Sequence, residues 1–291
     1  MSPGKNSVSV IIVTHNSMPL LEECLANLKA AMQGIPGEIV AVDNNSVDHS
    51  ATVVVRYFPK AKVIVNRDNP GFGTACNQAA QRSSGEFLLF LNPDVLVDQD
   101  AIRNLRAVFS ARDRIGLAGA RLRHPSGMFQ PTCRKFPTIS NLVYSRGSVI
   151  GQISGSRSQR PEHIYTLPDY DQTTIVDAVA GTMSMVRRDL FEKIGGFDER
   201  FFLFMEDTDL SLRLNRQGYV NVFVPAAGGV HHWGRGSRSG HAKRQWYQHR
   251  SVWKFFRKHH EDRRSLAVLA LLLSVNLPAS LVFGRPRRER T

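Results

Sequence analysis

The chain has 291 residues, 42% of them hydrophobic, enough for a sizeable packed core, which excludes a wholly disordered protein. Its net charge of +13 sits at one end: residues 235–291 hold 14 Lys/Arg against Glu261, Asp262 and Glu289, leaving only +2 on the first 234 residues. A near-neutral body with a basic end argues against an acidic substrate in the core and for an anionic surface, membrane headgroups or nucleic acid, touched by the tail.

Val8–Val13, Glu38–Val42 and Lys62–Val65 are β-branched runs separated by the helix-compatible stretches Met18–Met32 and Ser46–Tyr57. That alternation predicts βαβ units and a mostly parallel sheet. A helix over Gly73–Gln81 leads to a fourth strand, Glu86–Leu91, and another helix spans Asp100–Phe109. The chain is then irregular, and its Ser, Gly and Arg content between Ser145 and Pro161 predicts a mobile loop. Order resumes at Ile175–Val186; a short helix at Asp189–Ile194 stops at Gly195-Gly196, and one at Asp207–Gln217 stops at Gly218.

The last part differs in kind. His241–His260 sets Trp246, Trp253 and Phe256 among Lys243, Arg244, Arg250, Lys254, Arg257 and Lys258, the pattern of a basic amphipathic helix. Leu266–Phe283 is an apolar run containing Asn276 and Pro278 and followed by Arg285, Arg287, Arg288 and Arg290. It reads as a helix or helical hairpin lying in a membrane interface, with packing on the domain as the alternative. Cys24, Cys76 and Cys133 have no C-x-x-C pair and no His at metal-ligand spacing, and read as reduced thiols of a cytosolic protein. The residues before Val8 lack the apolar region of an export signal, so no export is expected.

In an open α/β sheet the ligand sits beyond the carboxyl ends of the strands, so polar residues there carry the functional signal. The first strand ends in Thr14-His15-Asn16-Ser17 and the second in Asp43-Asn44-Asn45-Ser46-Val47-Asp48. Asp43 can accept the N3–H of a pyrimidine while Thr14 and Asn16 reach base or ribose; Ser46 and Asp48 read as turn residues. The Asn69-Pro70-Gly71-Phe72-Gly73 segment lacks the third glycine of a dinucleotide fingerprint, yet opens a helix whose N–H groups suit a diphosphate or nucleoside. Asn92-Pro93-Asp94 places a carboxylate just past the fourth strand, which suffices for Mg²⁺ or Mn²⁺ when phosphates complete the shell. Glu206, Asp207 and Asp209 crowd together after an apolar stretch: one can serve as a general base, while Asp207 can equally cap a helix and Asp209 can pair with Arg213. Of the adjacent pair His231-His232, at most one is expected to face a metal.

Taken in order, Ser9-Val-Ile-Ile-Val-Thr-His-Asn16, Val42-Asp-Asn-Asn-Ser46, Asn69-Pro-Gly-Phe-Gly73, Leu91-Asn-Pro-Asp94, Val179-Ala-Gly-Thr-Met183, Gly195-Gly-Phe-Asp-Glu-Arg200, Met205-Glu-Asp-Thr-Asp-Leu210 and His231-His232 resemble the inverting family 2 glycosyltransferases, in particular their rhamnosyltransferase-like branch. The resemblance implies a GT-A type α/β fold over residues 7–234, with residues 235–291 as a helical, membrane-associated extension. It implies donor contacts at Thr14, Asn16, Asp43, Asn77 and Asn92, the last standing where the family's D-x-D element has its first Asp. Asp94 matches the metal-binding carboxylate, Asp207 the catalytic base beside Glu206, and His232, rather than His231, the metal-side histidine. The implied cofactor is Mg²⁺ or Mn²⁺ and the implied donor a nucleotide sugar, dTDP-L-rhamnose by the branch, with UDP- or GDP-sugars as alternatives. With the basic, apolar C-terminus, this leads to an expected polyprenyl-diphosphate-linked saccharide acceptor at the cytoplasmic face of an anionic membrane, for cell-envelope polysaccharide synthesis. Two rivals remain: an inactive transferase-like scaffold, motivated by Asn92, and a nucleic-acid-binding tail, disfavoured because its cations interleave with apolar helices rather than with a reading motif.

Overall fold

A computed structural model describes residue 4 and residues 6–139, 170–232 and 240–283. The Ser145–Pro161 stretch and the arginines of residues 285–290 lie outside the described residues. The first half winds as expected through β1 (Val8–Thr14), α1 (Leu20–Ala31), β2 (Gly37–Asn44), α2 (Ser50–Tyr57), β3 (Lys62–Asn66), α3 (Phe72–Arg82) and β4 (Phe87–Leu91). These strands lie in the order β3-β2-β1-β4, all parallel. Helices cover both faces, so β1 and β4 are apolar on successive residues instead of alternating. Helix α2 starts four residues later than the pattern suggests because Asp48 is used in the turn: its carboxylate accepts the Met18 N–H at 2.9 Å and the Ser50 hydroxyl at 2.5 Å.

Beyond β4 come β5 (Val95–Val97), α4 (Ala101–Ala111), β6 (Ile115–Arg123), β7 (Phe129–Gln130), β8 (Cys133–Arg134), β9 (Thr174–Val176), β10 (Ala178–Val179), β11 (Met183–Arg187), α5 (Arg188–Lys193), α6 (Glu206–Arg216) and β12 (Val220–His231). They extend the sheet as β4-β11-β6-β12-β5. Here the sheet is mixed: β11 runs antiparallel to β4 and β6, and β5 antiparallel to β12, while β12 and β6 are parallel. The ordered stretch expected at Ile175–Val186 is three short strands, interrupted at Asp177 and at Ala180-Gly181-Thr182. Strand β6, in the region that reads as irregular, crosses close to β10: a Cβ on Gly119 would meet the Val179 Cβ at 2.7 Å.

One apolar core fills each face of the sheet. The C-terminal helices α7 (His241–His259) and α8 (Arg263–Phe283) form a hairpin, tied where Asn276 meets the His249 ring at 3.0 Å and His241 the Ser280 carbonyl at 3.2 Å. The hairpin joins the domain through a third cluster of Phe201, Val252, Phe255, Phe256 and Leu269. At about 1.5–3 kcal/mol per buried large side chain, this docking is substantial. The opposite face of α8 is apolar and has no partner among the described residues, with Val268, Leu271 and Val275 exposed by 53%, 66% and 59%. Residues Arg263–Leu281 are long and apolar enough to cross a membrane by length and composition. All three cysteines are free and buried, and burial pushes the thiols of Cys24 and Cys133 up to about 12, leaving them unreactive.

Candidate active site

The pairing of β1 with β2 sets Thr14 opposite Asp43. Thr14 donates to Asp43 Oδ1 at 2.7 Å and the Ser46 N–H donates to Oδ2 at 3.0 Å, so a buried carboxylate is held at the sheet's rim with acceptor capacity to spare. Asn16, in the left-handed region at φ 55°, donates its N–H to Ser46 Oγ and accepts the Val47 N–H on its side chain. Asn44 ties this rim to the next loop, its amide donating to Asn69 Oδ1 at 3.2 Å and to the Gly71 carbonyl at 3.3 Å. Thr14, Asn16 and Asp43 are thus brought together.

Asn77 joins α3 to a neighbouring segment. Its side-chain oxygen accepts the Phe197 N–H and its amide donates to the Phe197 carbonyl and to Glu199, so it pins the 196–199 segment to α3. Gly196, at φ 66°, leaves room for that contact, since a Cβ there would sit 2.5 Å from Asn77 Oδ1.

Asn92-Pro93-Asp94 turns the chain from β4 into β5, with the Asn92 N–H donating to the Thr182 carbonyl at 2.9 Å. Because β5 pairs Val95 with His231, both histidines arrive beside Asp94, and the His232 N–H donates to its carbonyl at 3.0 Å. His231 Nε2 lies 3.2 Å from Asp94 Oδ1 without the alignment of a hydrogen bond, and its Nδ1 is engaged by Gln130. Asp94 Oδ1 and His232 Nδ1 are buried with no hydrogen-bond partner among the described residues. Among those residues, no three His, Cys, Asp or Glu side chains converge on a metal site. A carboxylate and an imidazole with free lone pairs nevertheless fit a Mg²⁺ or Mn²⁺ whose shell is completed by a ligand's phosphates.

Asp207 enters from the start of α6. The two preceding residues, Phe204 and Met205, have φ of 68° and 69°, a conformation costing about 1–3 kcal/mol each. All its acceptor positions are engaged: Oδ1 by the Thr208 N–H and hydroxyl at 2.7 and 3.1 Å, Oδ2 by the Gly181 N–H at 3.1 Å and Arg134 Nη2 at 3.2 Å. The adjoining Glu206 is buried, with Oε2 unpartnered among the described residues. Burial, then the Asp207 charge, pushes its carboxyl up to about 8, so it keeps its proton at neutral pH. Asp209 does pair with Arg213, at 2.7 Å. Gly181 and Thr182 are consecutive, one holding Asp207 and the other the Asn92 turn, so base candidate and metal-side turn sit side by side. Sequence reasoning passed over Arg134, which lies in the irregular region with only a two-residue strand to mark it. It also gave Gly181 no role, although that residue stands in one of the resembling segments.

A doubly wound first half thus carries polar strand ends on β1 and β2, and a held carboxylate lies beside an Asn-Pro-Asp turn. The profile described as "Glycosyl transferase family 2" matches residues 9–195, and "Glycosyl transferase family group 2" matches residues 156–284. The chain belongs to glycosyl transferase family 2. It is 30% identical over 268 residues to the N-acetylglucosaminyl-diphospho-decaprenol L-rhamnosyltransferase of Mycobacterium tuberculosis, covering 86% of this chain and 84% of that protein. It is 26% identical to the rhamnosyltransferase WbbL of Escherichia coli K12, over 81% of this chain and 87% of that one. Among solved structures, the mannosyltransferase PcManGT of Pyrobaculum calidifontis, in complex with GDP-Man and Mn²⁺, aligns with a TM-score of 0.58 at 20% identity over 94% of this chain and 73% of that one. Staphylococcus aureus TarS 1-349, in complex with UDP-GlcNAc, aligns with a TM-score of 0.55 at 18% identity over 95% and 73%. The fold is of the GT-A type.

Proposed function

We propose that this chain transfers L-rhamnose from dTDP-L-rhamnose to a polyprenyl-diphosphate-linked saccharide, with inversion at the anomeric carbon. The observation carrying this reading is the Asp207 carboxylate, fixed through Gly181 beside the Asn92-Pro93-Asp94 turn; the transferred sugar and the acceptor follow the mycobacterial relative's name, and the dTDP nucleotide follows the family resemblance. Thr14, Asn16 and Asp43 bind the nucleoside, with Asn92 on the donor side. Asp94 and His232 hold Mg²⁺ or Mn²⁺, and His231, braced by Gln130, supports Asp94. A divalent ion bound there supplies charge neutralisation of the leaving diphosphate. Asp207 Oδ2 exchanges its Arg134 contact for the acceptor hydroxyl and takes that proton as the hydroxyl oxygen bonds to the anomeric carbon, and the bond to the diphosphate breaks on the opposite side with its electron pair. Burial and the Asp207 charge favour the protonated form of Glu206.

The test is a transfer assay with Mg²⁺, a panel of dTDP-, UDP- and GDP-sugars, and a short-chain polyprenyl-diphosphate-GlcNAc. Transfer from dTDP-L-rhamnose is expected. Transfer from a UDP- or GDP-sugar alone would replace the donor, and no transfer despite nucleotide binding would favour the inactive scaffold.

The same reading puts the protein on the cytoplasmic face of an anionic membrane, peripherally, with the outer face of α8 in the interface. Replacing Val268, Leu271 and Val275 by Asp changes only exposed positions. At about 1.5 kcal/mol per side chain the loss of partition into phosphatidylglycerol vesicles is on the order of a thousandfold. Unchanged cosedimentation of the triple variant would refute the anchor.

A further inference from the structure

Helix α7 does more than carry basic charge. Four of its residues at helical spacing, Tyr247, Ser251, Lys254 and Lys258, share one face. That face lies along the segment leading into Asp207. Tyr247 stacks on Phe202 at 4.4 Å, the Ser251 hydroxyl donates to the Leu203 carbonyl at 2.8 Å, Lys254 Nζ donates to the Arg200 carbonyl, and Lys258 Nζ meets Asp198 Oδ2 at 2.6 Å. Phe201 lies between, in the apolar cluster with Phe255 and Phe256. On its other side the segment is gripped by the donor loop, because the Phe72 N–H donates to the Phe202 carbonyl at 3.1 Å. The strained pair Phe204-Met205, which aims Glu206 and Asp207, is the end of this clamped segment.

A second contact reaches the base helix itself. Asp209, two residues beyond Asp207, is fully buried. Its Oδ1 accepts from Lys258 Nζ at 2.6 Å and from His259 Nε2 at 2.7 Å, while Oδ2 accepts from Arg213 Nε at 2.7 Å. Arg216 donates to His259 Nδ1 at 2.9 Å; a guanidinium only donates, so Nδ1 must accept and the imidazole proton sits on Nε2, facing Asp209. Burial alone would push the Asp209 carboxyl up, but the hydrogen bonds from His259 and Lys258 and the neighbouring charges outweigh it and hold the group below the ordinary carboxylate value. Two of its three partners therefore come from a helix about 50 residues downstream in the chain.

We propose that Lys258 and His259 are positioning residues for Asp207: through Asp198 and Asp209 they fix both the approach to the base and the helix that bears it, making α7 part of the catalytic unit. The inference rests on Asp207 being the base. The donor rim on β1 and β2 shares none of these contacts, so the effect should fall on turnover and spare nucleotide binding.

The experiment compares full-length Lys258→Met, Lys258→Arg, His259→Leu and His259→Gln with wild type, reading kcat, donor KM, nucleotide Kd and Tm. Lys258→Met and His259→Leu should lower kcat by about 10- to 100-fold with donor KM and nucleotide Kd within about twofold, since misplacement by about 1 Å costs on that scale. Lys258→Arg and His259→Gln, which keep a donor toward Asp209, should recover most of the loss. Lys258→Met leaves Asp209 short of a counter-charge and lowers stability, so Asp209→Asn/Lys258→Met, which removes both charges, separates the two effects. Restored Tm with kcat still depressed supports positioning; kcat that returns with Tm overturns it, as does wild-type kcat in Lys258→Met or His259→Leu. If wild type transfers no sugar from any donor, the base reading fails first, and that outcome is distinct from these.

Discussion

Asp207→Asn should lower kcat by about 10²–10⁴-fold, the usual contribution of a general base, while nucleotide Kd changes by less than about twofold. The substitution is nearly isosteric and far from the Thr14–Asp43 rim in hydrogen-bond terms, so donor binding has no reason to follow. An amide cannot take up the acceptor's proton. It also cannot satisfy the site, because both carboxylate oxygens face donors: the Gly181 N–H and Arg134 on one side, Thr208 on the other. Whichever way the amide turns, its NH₂ points at a donor, which costs about 1–3 kcal/mol of stability. Kinetics should therefore be read beside Tm at a temperature where both proteins are folded. Near-wild-type turnover in the folded variant would remove Asp207 from the reaction.

Asp94→Ala should act on a different quantity. In calorimetric titrations with the dTDP donor, the gain in affinity produced by Mg²⁺ should shrink by at least about tenfold, while affinity in EDTA stays the same. The folded protein gives up little, since Asp94 Oδ1 is buried without a hydrogen-bond partner among the described residues. Removing the carboxylate relieves a desolvation cost and gives up the unaligned 3.2 Å approach of His231 Nε2, so Tm should change little. An unchanged Mg²⁺ dependence would take Asp94 out of the metal shell and leave His231 and His232 without a carboxylate partner there.

The first half of the sheet was legible because hydrophobic periodicity there is local: each strand is a short β-branched run and each helix separates two of them. The second half was not. Strand β6 reads Ile-Gly-Leu-Ala-Gly-Ala-Arg-Leu-Arg, poor in β-branched residues, and is a strand because Val179, β11 and β12 pack and pair around it. The candidate site divides in the same way. Asp43, Asp94 and Asp207 lie at strand ends or open a helix, positions that local pattern exposes. Asn77 and Arg134 owe their contacts to residues 120 and 73 positions away, which no window along the chain reveals. Helix α7 shows the limit most clearly. Its cations read as a face for anionic lipid, yet Lys254 and Lys258 turn toward the domain, and of the stripe formed by Trp246, Trp253 and Phe256 only Phe256 is fully buried.

The Gly181-Thr182 step carries a consequence for how such enzymes diversify. It couples the proposed base to the Asn92-Pro93-Asp94 turn within one dipeptide, whereas the proposed nucleoside rim hangs from β1 and β2 and reaches that turn through the β1–β4 pairing and the segment before the base through Asn44 and the Gly71 loop. On the proposed reading, the side chains that recognise the nucleotide and those that set the spacing of the reacting groups are carried by different segments. Exchanging residues 14–17 and 43–48 for those of a transferase with another nucleotide preference should retune the donor without resetting the catalytic distances.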